Sequence, residues 1–150
     1  MICTTIEQSR RLLELGLDPK TADMHYVRKI TDFMGNNIEN PKWSVPKYGS
    51  PTSKHASYIV QNFTSFEILP AWSLSALLKV MPKGTNETYH LFSSMMSDQL
   101  GSWVCDRSKY YMDADGHNKN DYECVKSNSP VTAAYEMVCW LLEQGIIEKG

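Results

Sequence analysis

The sequence predicts an α+β fold: an antiparallel sheet of about four strands, with a C-terminal helix packed on one face and N-terminal and central helices nearby. Three observations carry that reading. Residues 129–145 have the apolar period of a helix with both ends marked. Residues 58–69 and 88–125 hold β-rich runs separated by turn residues. Residues 4–15 and 73–81 are short amphipathic segments that begin on hydroxyl residues. A chain of 150 residues suits one domain, here with a long irregular loop at about 35–57.

In chain order, Thr4 with Glu7 makes a capping box for the first helix. Ile6, Leu13 and Leu17 share a face, and Gly16 with Asp18-Pro19 ends the segment. Residues 21–30 are ambiguous; Met24, Val27 and Ile30 fit a short helix capped by Thr21. Turn residues then crowd the chain from Gly35 to Ser57, with Trp43, Val45 and Tyr48 as apolar anchors. Such a loop is functional, mobile or partly paired as an edge strand. Tyr58–Phe63 reads as a strand, Phe66–Leu69 as a second strand or its continuation, and Pro70 as a break. Ser73 caps a helix over 73–81 whose buried face is Leu74, Leu77, Leu78 and Met81.

A meander follows. Its strands are 88–94, 102–106, 110–112 and 122–125, with turns at 98–101 and 113–121. The last helix takes Ser129 as N-cap, Pro130 at its first position and Gly145 as its left-handed stop, with Ile146 folding back. Val131, Ala134, Tyr135, Val138, Leu141 and Leu142 form its apolar face, which Met137, Cys139 and Trp140 widen.

The net charge of −2 argues against sequence-independent binding to nucleic acid. The balance is uneven: residues 1–83 carry 10 Lys and Arg against 7 Asp and Glu, and residues 84–150 carry 5 against 10. No apolar run approaches the roughly 20 residues of a membrane span, and no membrane association is expected. The first residues lack the basic and apolar regions of a signal peptide, so the expected location is the cytoplasm. Cys3, Cys105, Cys124 and Cys139 have no zinc-type spacing and read as buried free thiols.

Two stretches, Ile68-Leu-Pro-Ala-Trp-Ser-Leu-Ser-Ala-Leu-Leu-Lys-Val-Met-Pro82 and Ser129-Pro-Val-Thr-Ala-Ala-Tyr-Glu-Met-Val-Cys-Trp-Leu-Leu-Glu143, resemble a family of small uncharacterised proteins. Phages, prophages and other mobile elements of gut bacteria encode them. The opening Glu7–Met24 is similar to the start of the same proteins. The resemblance implies a protein of the bacterial host cytoplasm and brings no catalytic residues with it.

Several groups of residues suggest sites. Trp103, Arg107, Lys109 and Tyr111 combine rings for stacking with cations for phosphate, as a small nucleotide would need; the same residues suit aromatic cross-strand pairing in a sheet. Trp43, Lys47, Tyr48 and Lys54 offer aromatic anchors and charge on a flexible arm for a protein partner; a plain solvated loop is the alternative. His90 with Asp98 or Asp106 makes an acid–base pair across the meander, or a half-buried strand histidine. Asp113, Asp115, Asn118, Asp121 and Glu123 place oxygen ligands near Gly116, but the spacing is not that of a calcium loop and a polar turn explains it. No nucleophile elbow or phosphate loop is present. No cofactor or metal is implied. The leading expectation is an accessory protein that binds a host or phage protein. The alternatives are a small-ligand or nucleotide-signal binder and a small hydrolase using His90.

Overall fold

A computed structural model describes residues 2–49, 58–61, 64–94 and 102–150. In chain order the elements are α1 (Ile6–Glu14), β1 (Met24–Lys29), β2 (Lys47–Tyr48), β3 (Tyr58–Gln61), β4 (Thr64–Ala71), α2 (Leu74–Val80), β5 (Glu87–Ser94), β6 (Ser102–Met112), β7 (Asn118–Ser127) and α3 (Pro130–Glu143). The class is α+β, as predicted. Among the described residues, however, the strands divide between separate antiparallel sheets, and the sheet that carries the C-terminal helix has three strands rather than four. The chain forms two compact units, Ile2–Ala76 with Lys149–Gly150, and Leu77–Glu148.

In the first unit, the capping box of α1 lies one residue later than expected. Thr5 Oγ1 accepts from Gln8 N at 3.1 Å, and Gln8 Oε1 accepts from Thr5 N at 3.0 Å. Thr4 is buried instead, with its hydroxyl 2.8 Å from that of Ser9 and accepting from Trp72 N at 3.0 Å. Residues 24–29, which fit a helix on Met24 and Val27, are a strand. Met24 and Tyr26 are buried and Lys29 is exposed, a period of two that the sequence reading missed. β1 pairs along its whole length with β4, from Met24 opposite Ala71 to Lys29 opposite Phe66.

Pro70 does not break the chain but sits inside β4, opposite His25. Among the described residues β3 accompanies β4 only from Thr64 to Glu67, so on that side no described strand asks Pro70 for an N–H. The interior holds Cys3, Met24, Tyr26, Leu69 and Ala71, with Ile6, Leu13 and Trp43 packed against them. The indole N–H of the fully buried Trp72 donates to Thr21 Oγ1 at 2.9 Å. Ser73 caps α2 as predicted: its hydroxyl accepts from Ala76 N at 3.2 Å and also bonds Asp23.

In the second unit the order is β5-β6-β7, and α3 packs on these strands. The segments 102–106 and 110–112 are one continuous strand, β6. The polar residues 118–121, expected in a turn, pair with it in β7. The turn is confined to Asp113–His117, where Asp113 Oδ1 accepts from the N–H of Asp115 at 3.0 Å and of His117 at 2.8 Å. The expected turn at 98–101 lies outside the described residues.

α3 follows its sequence closely. Ser129 Oγ accepts from Thr132 N at 3.1 Å. Gly145 takes φ of 71°, and Ile146 N donates back to Leu141 O at 2.9 Å. Val131, Ala134, Val138, Leu141 and Leu142 are buried as predicted, joined by Ala133 and Met137. Each buried leucine contributes roughly 1.5–3 kcal/mol. Tyr135 is only half-buried, and Ile147 rather than Ile146 is the buried residue beyond the stop. All four cysteines are free; Cys3 and Cys105 are buried, and Cys124 and Cys139 are half-buried.

Candidate functional site

β6 is the spine of the second unit. Side chains alternate along a strand, so Trp103, Cys105, Arg107, Lys109 and Tyr111 share one face and Asp106, Ser108, Tyr110 and Met112 the other. Arg107 lies on the α3 side, its guanidinium 5.9 Å from the ring centre of Trp140. It is 4% exposed. Burial disfavours its charge, but β5 supplies the counter-ion. Arg107 Nε donates to Glu87 Oε1 at 2.7 Å, and the hydroxyl of Tyr89 donates to the same oxygen at 2.7 Å. Burial works against the charge on both partners, and these bonds more than offset it. The Arg107 pKa is held above, and that of Glu87 below, its ordinary value.

Beyond Arg107 a cleft of about 570 Å³ opens, lined by Lys109, Asn120, Asp121, Tyr122, Trp140, Gln144 and Ile146 together with Arg107 itself. The strands bring Lys109 opposite Asp121, and the end of α3 brings the last three. The volume is in the range of small-molecule sites.

The same strands carry a polar cluster. His90, on β5, stands opposite Asp106, and its Nδ1 is 2.9 Å from Asp106 Oδ1. Tyr122 donates its hydroxyl to Asp106 Oδ2 at 3.2 Å. The arrangement orients the imidazole with its second nitrogen free of this carboxylate, as a general base requires. The His90 side chain is 61% exposed and does not line the cleft. Asp98, the other expected partner, lies outside the described residues. Cys105 is no nucleophile: burial first, then the charge of Asp106, pushes its thiol up to about 12.

Past Ser108 the β6–β7 hairpin becomes an arm. Every residue from Lys109 to Tyr122 is exposed except the half-buried Asp113, and the ladder stays in register up to Met112 opposite Asn118. Tyr110 is 57% exposed, Met112 67% and Tyr122 56%. At its tip Asp113, Asp115 and His117 lie together, with Asp113 engaged in the turn itself.

No family model, no curated protein and no solved structure matches the chain. The site therefore rests on its own geometry.

Of the four residues that suggested a ligand site, the structure brings Arg107 and Lys109 into one cleft. Trp103 is half-buried toward the other end of β6, and Tyr111 stands on the arm; neither lines the cleft. Trp140 supplies the ring on their face instead, while Tyr122 directs its hydroxyl to Asp106 on the other. Trp140 had a sequence signal, as an aromatic widening the apolar face of α3 near its end, but that signal reads equally as packing. Of the four residues that suggested a partner surface, Trp43 is half-buried against the interior of the first unit rather than exposed, with the Arg28 guanidinium 4.5 Å from its ring centre. Lys47 and Tyr48 form the exposed strand β2. Lys54 lies outside the described residues.

Proposed function

We propose that this chain works by binding a protein partner and that the β6–β7 arm makes the contact. One observation carries the reading. Tyr110, Tyr111, Met112 and Tyr122 are held in solvent on a strand ladder whose register fixes their positions. Leaving large apolar side chains clustered in water forgoes the burial that stabilises the rest of the fold. Tyrosines on a rigid support lose little entropy on binding and dominate interface energies. The resemblance to phage and prophage proteins supports a host or phage protein in the bacterial cytoplasm as the partner.

The test pairs the full chain with a variant carrying Tyr110→Ser and Met112→Ser. Partners retained from host lysate are identified, and one is then purified and titrated against both proteins. The purified partner is expected to bind the variant at least about 30-fold more weakly, the loss of one strong anchor, with melting temperature unchanged. Equal binding by the variant would remove the arm from the interface.

A further inference from the structure

At the base of the arm the cleft presents groups that the described chain leaves unused. Lys109 and Asp121 face each other across β6 and β7, and both line the cleft. Opposite charges so placed commonly join as a cross-strand pair, yet among the described residues neither is in an ion pair. Arg107 is not available in the same way, since Glu87 holds its Nε at 2.7 Å. What the cleft offers on the Lys109 face is therefore one ammonium beside one carboxylate, the amide of Gln144 and the ring of Trp140.

A complementary ligand is planar and carries an acceptor next to donors along one edge. We infer that this cleft binds a guanine base, free or as part of a nucleotide. The pairing edge of guanine sets a carbonyl oxygen beside an N–H and an amino group. Lysine suits that oxygen. An ionised carboxylate only accepts, so Asp121 takes the two donors together. Trp140, on the same face as Lys109 and Asp121, gives the base a ring to stack on. Adenine presents a single amino donor and no carbonyl at this edge, so it meets Asp121 with one bond. A free amino acid also satisfies both charges, so tryptophan serves as the competing ligand.

Calorimetry on the full chain tests this with guanosine, GMP, GTP and a short guanine-bearing RNA, against IMP, AMP, tryptophan and inorganic phosphate. GMP is expected to bind. IMP, which lacks only the amino group, is expected to bind roughly ten-fold or more weakly, the cost of one hydrogen bond to a charged group. AMP should be weaker than GMP. Asp121→Asn should weaken GMP by a similar factor with no change in melting temperature, since Asp121 is exposed. Comparison of guanosine, GMP and the RNA separates a free nucleotide from a base within a polymer. No heat with any guanine ligand at millimolar concentration overturns the inference. So does equal binding of GMP and AMP, tryptophan or phosphate binding as tightly as GMP, or an Asp121→Asn variant that binds GMP like the parent. The arm residues Tyr110 and Met112 do not line the cleft, so failure here leaves the protein-binding reading to its own test.

Discussion

Arg107 shows how a single side chain changes meaning between sequence and fold. In the sequence it is a cation among aromatics, a reasonable phosphate ligand. In the structure its charge is already answered, because Glu87 and Tyr89 lie twenty and eighteen positions earlier on the neighbouring strand. Only the register of β5 against β6 reveals that, and register is not local information. The pair makes a prediction about acid. The Glu87 pKa is lowered in the folded protein, so its contribution is present above the ordinary carboxylate value of about 4.3 and is lost as pH falls through the folded value. Glu87→Gln leaves the Arg107 charge buried without its partner and should cost about 3 kcal/mol at pH 7. The gap should narrow as the parent's own carboxylate becomes protonated in acid. Urea unfolding of both proteins at pH 7 and at successively lower pH measures it; no gap at pH 7 would mean that the ion pair adds nothing to stability. His90 and Asp106 were legible as a pair, since residues of adjacent meander strands meet across the ladder. The exposure of His90 was not.

Elements were legible where their signals are local. α3 announces both ends within seventeen residues, and the Ser129 cap and the Gly145 stop are where the sequence places them. Ser129→Ala should cost about 1 kcal/mol, read as a lowered urea midpoint with unchanged slope. A cost below the error of that measurement would show the cap to be redundant with Pro130. β1 was not legible, because Met24, Val27 and Ile30 match a helical period while Met24 and Tyr26 match a strand, and its partner β4 lies some forty residues away. Distant pairing decided the matter. Trp43 was misread for the same reason: a tryptophan in a turn-rich segment looks like an exposed anchor until the strands it packs on are known. With part of its ring buried against Met24 and its neighbours, Trp43→Ala should cost about 2 kcal/mol. An unchanged thermal melt would return it to the surface.

At the scale of the molecule, the sequence correctly gives an α+β chain with helices at both ends of the order, and among the described residues no helix is long and apolar enough to cross a membrane. It does not say that the strands divide, because alternation marks each strand without naming its neighbour. The division gives each compact unit its own buried thiol, Cys3 in one and Cys105 in the other. Burial raises both thiol pKa values, that of Cys105 to about 12, and so disfavours the reactive thiolate at both. Cys124 is half-buried on β7 and more open to reagent. Iodoacetamide at pH 8 should therefore modify Cys124 of the native protein well before Cys3 or Cys105, with sites assigned by peptide mass. In concentrated guanidinium all four should react at similar rates, because the protection belongs to the fold and not to the thiols. The two buried sites then serve as separate reporters: labelling of Cys105 follows the opening of the strands beneath α3, and labelling of Cys3 follows the opening of β1 and β4. If Cys105 reacts as fast as Cys124 in the native protein, α3 does not cover β6, and the burial that locks Arg107 and shapes the cleft goes with it.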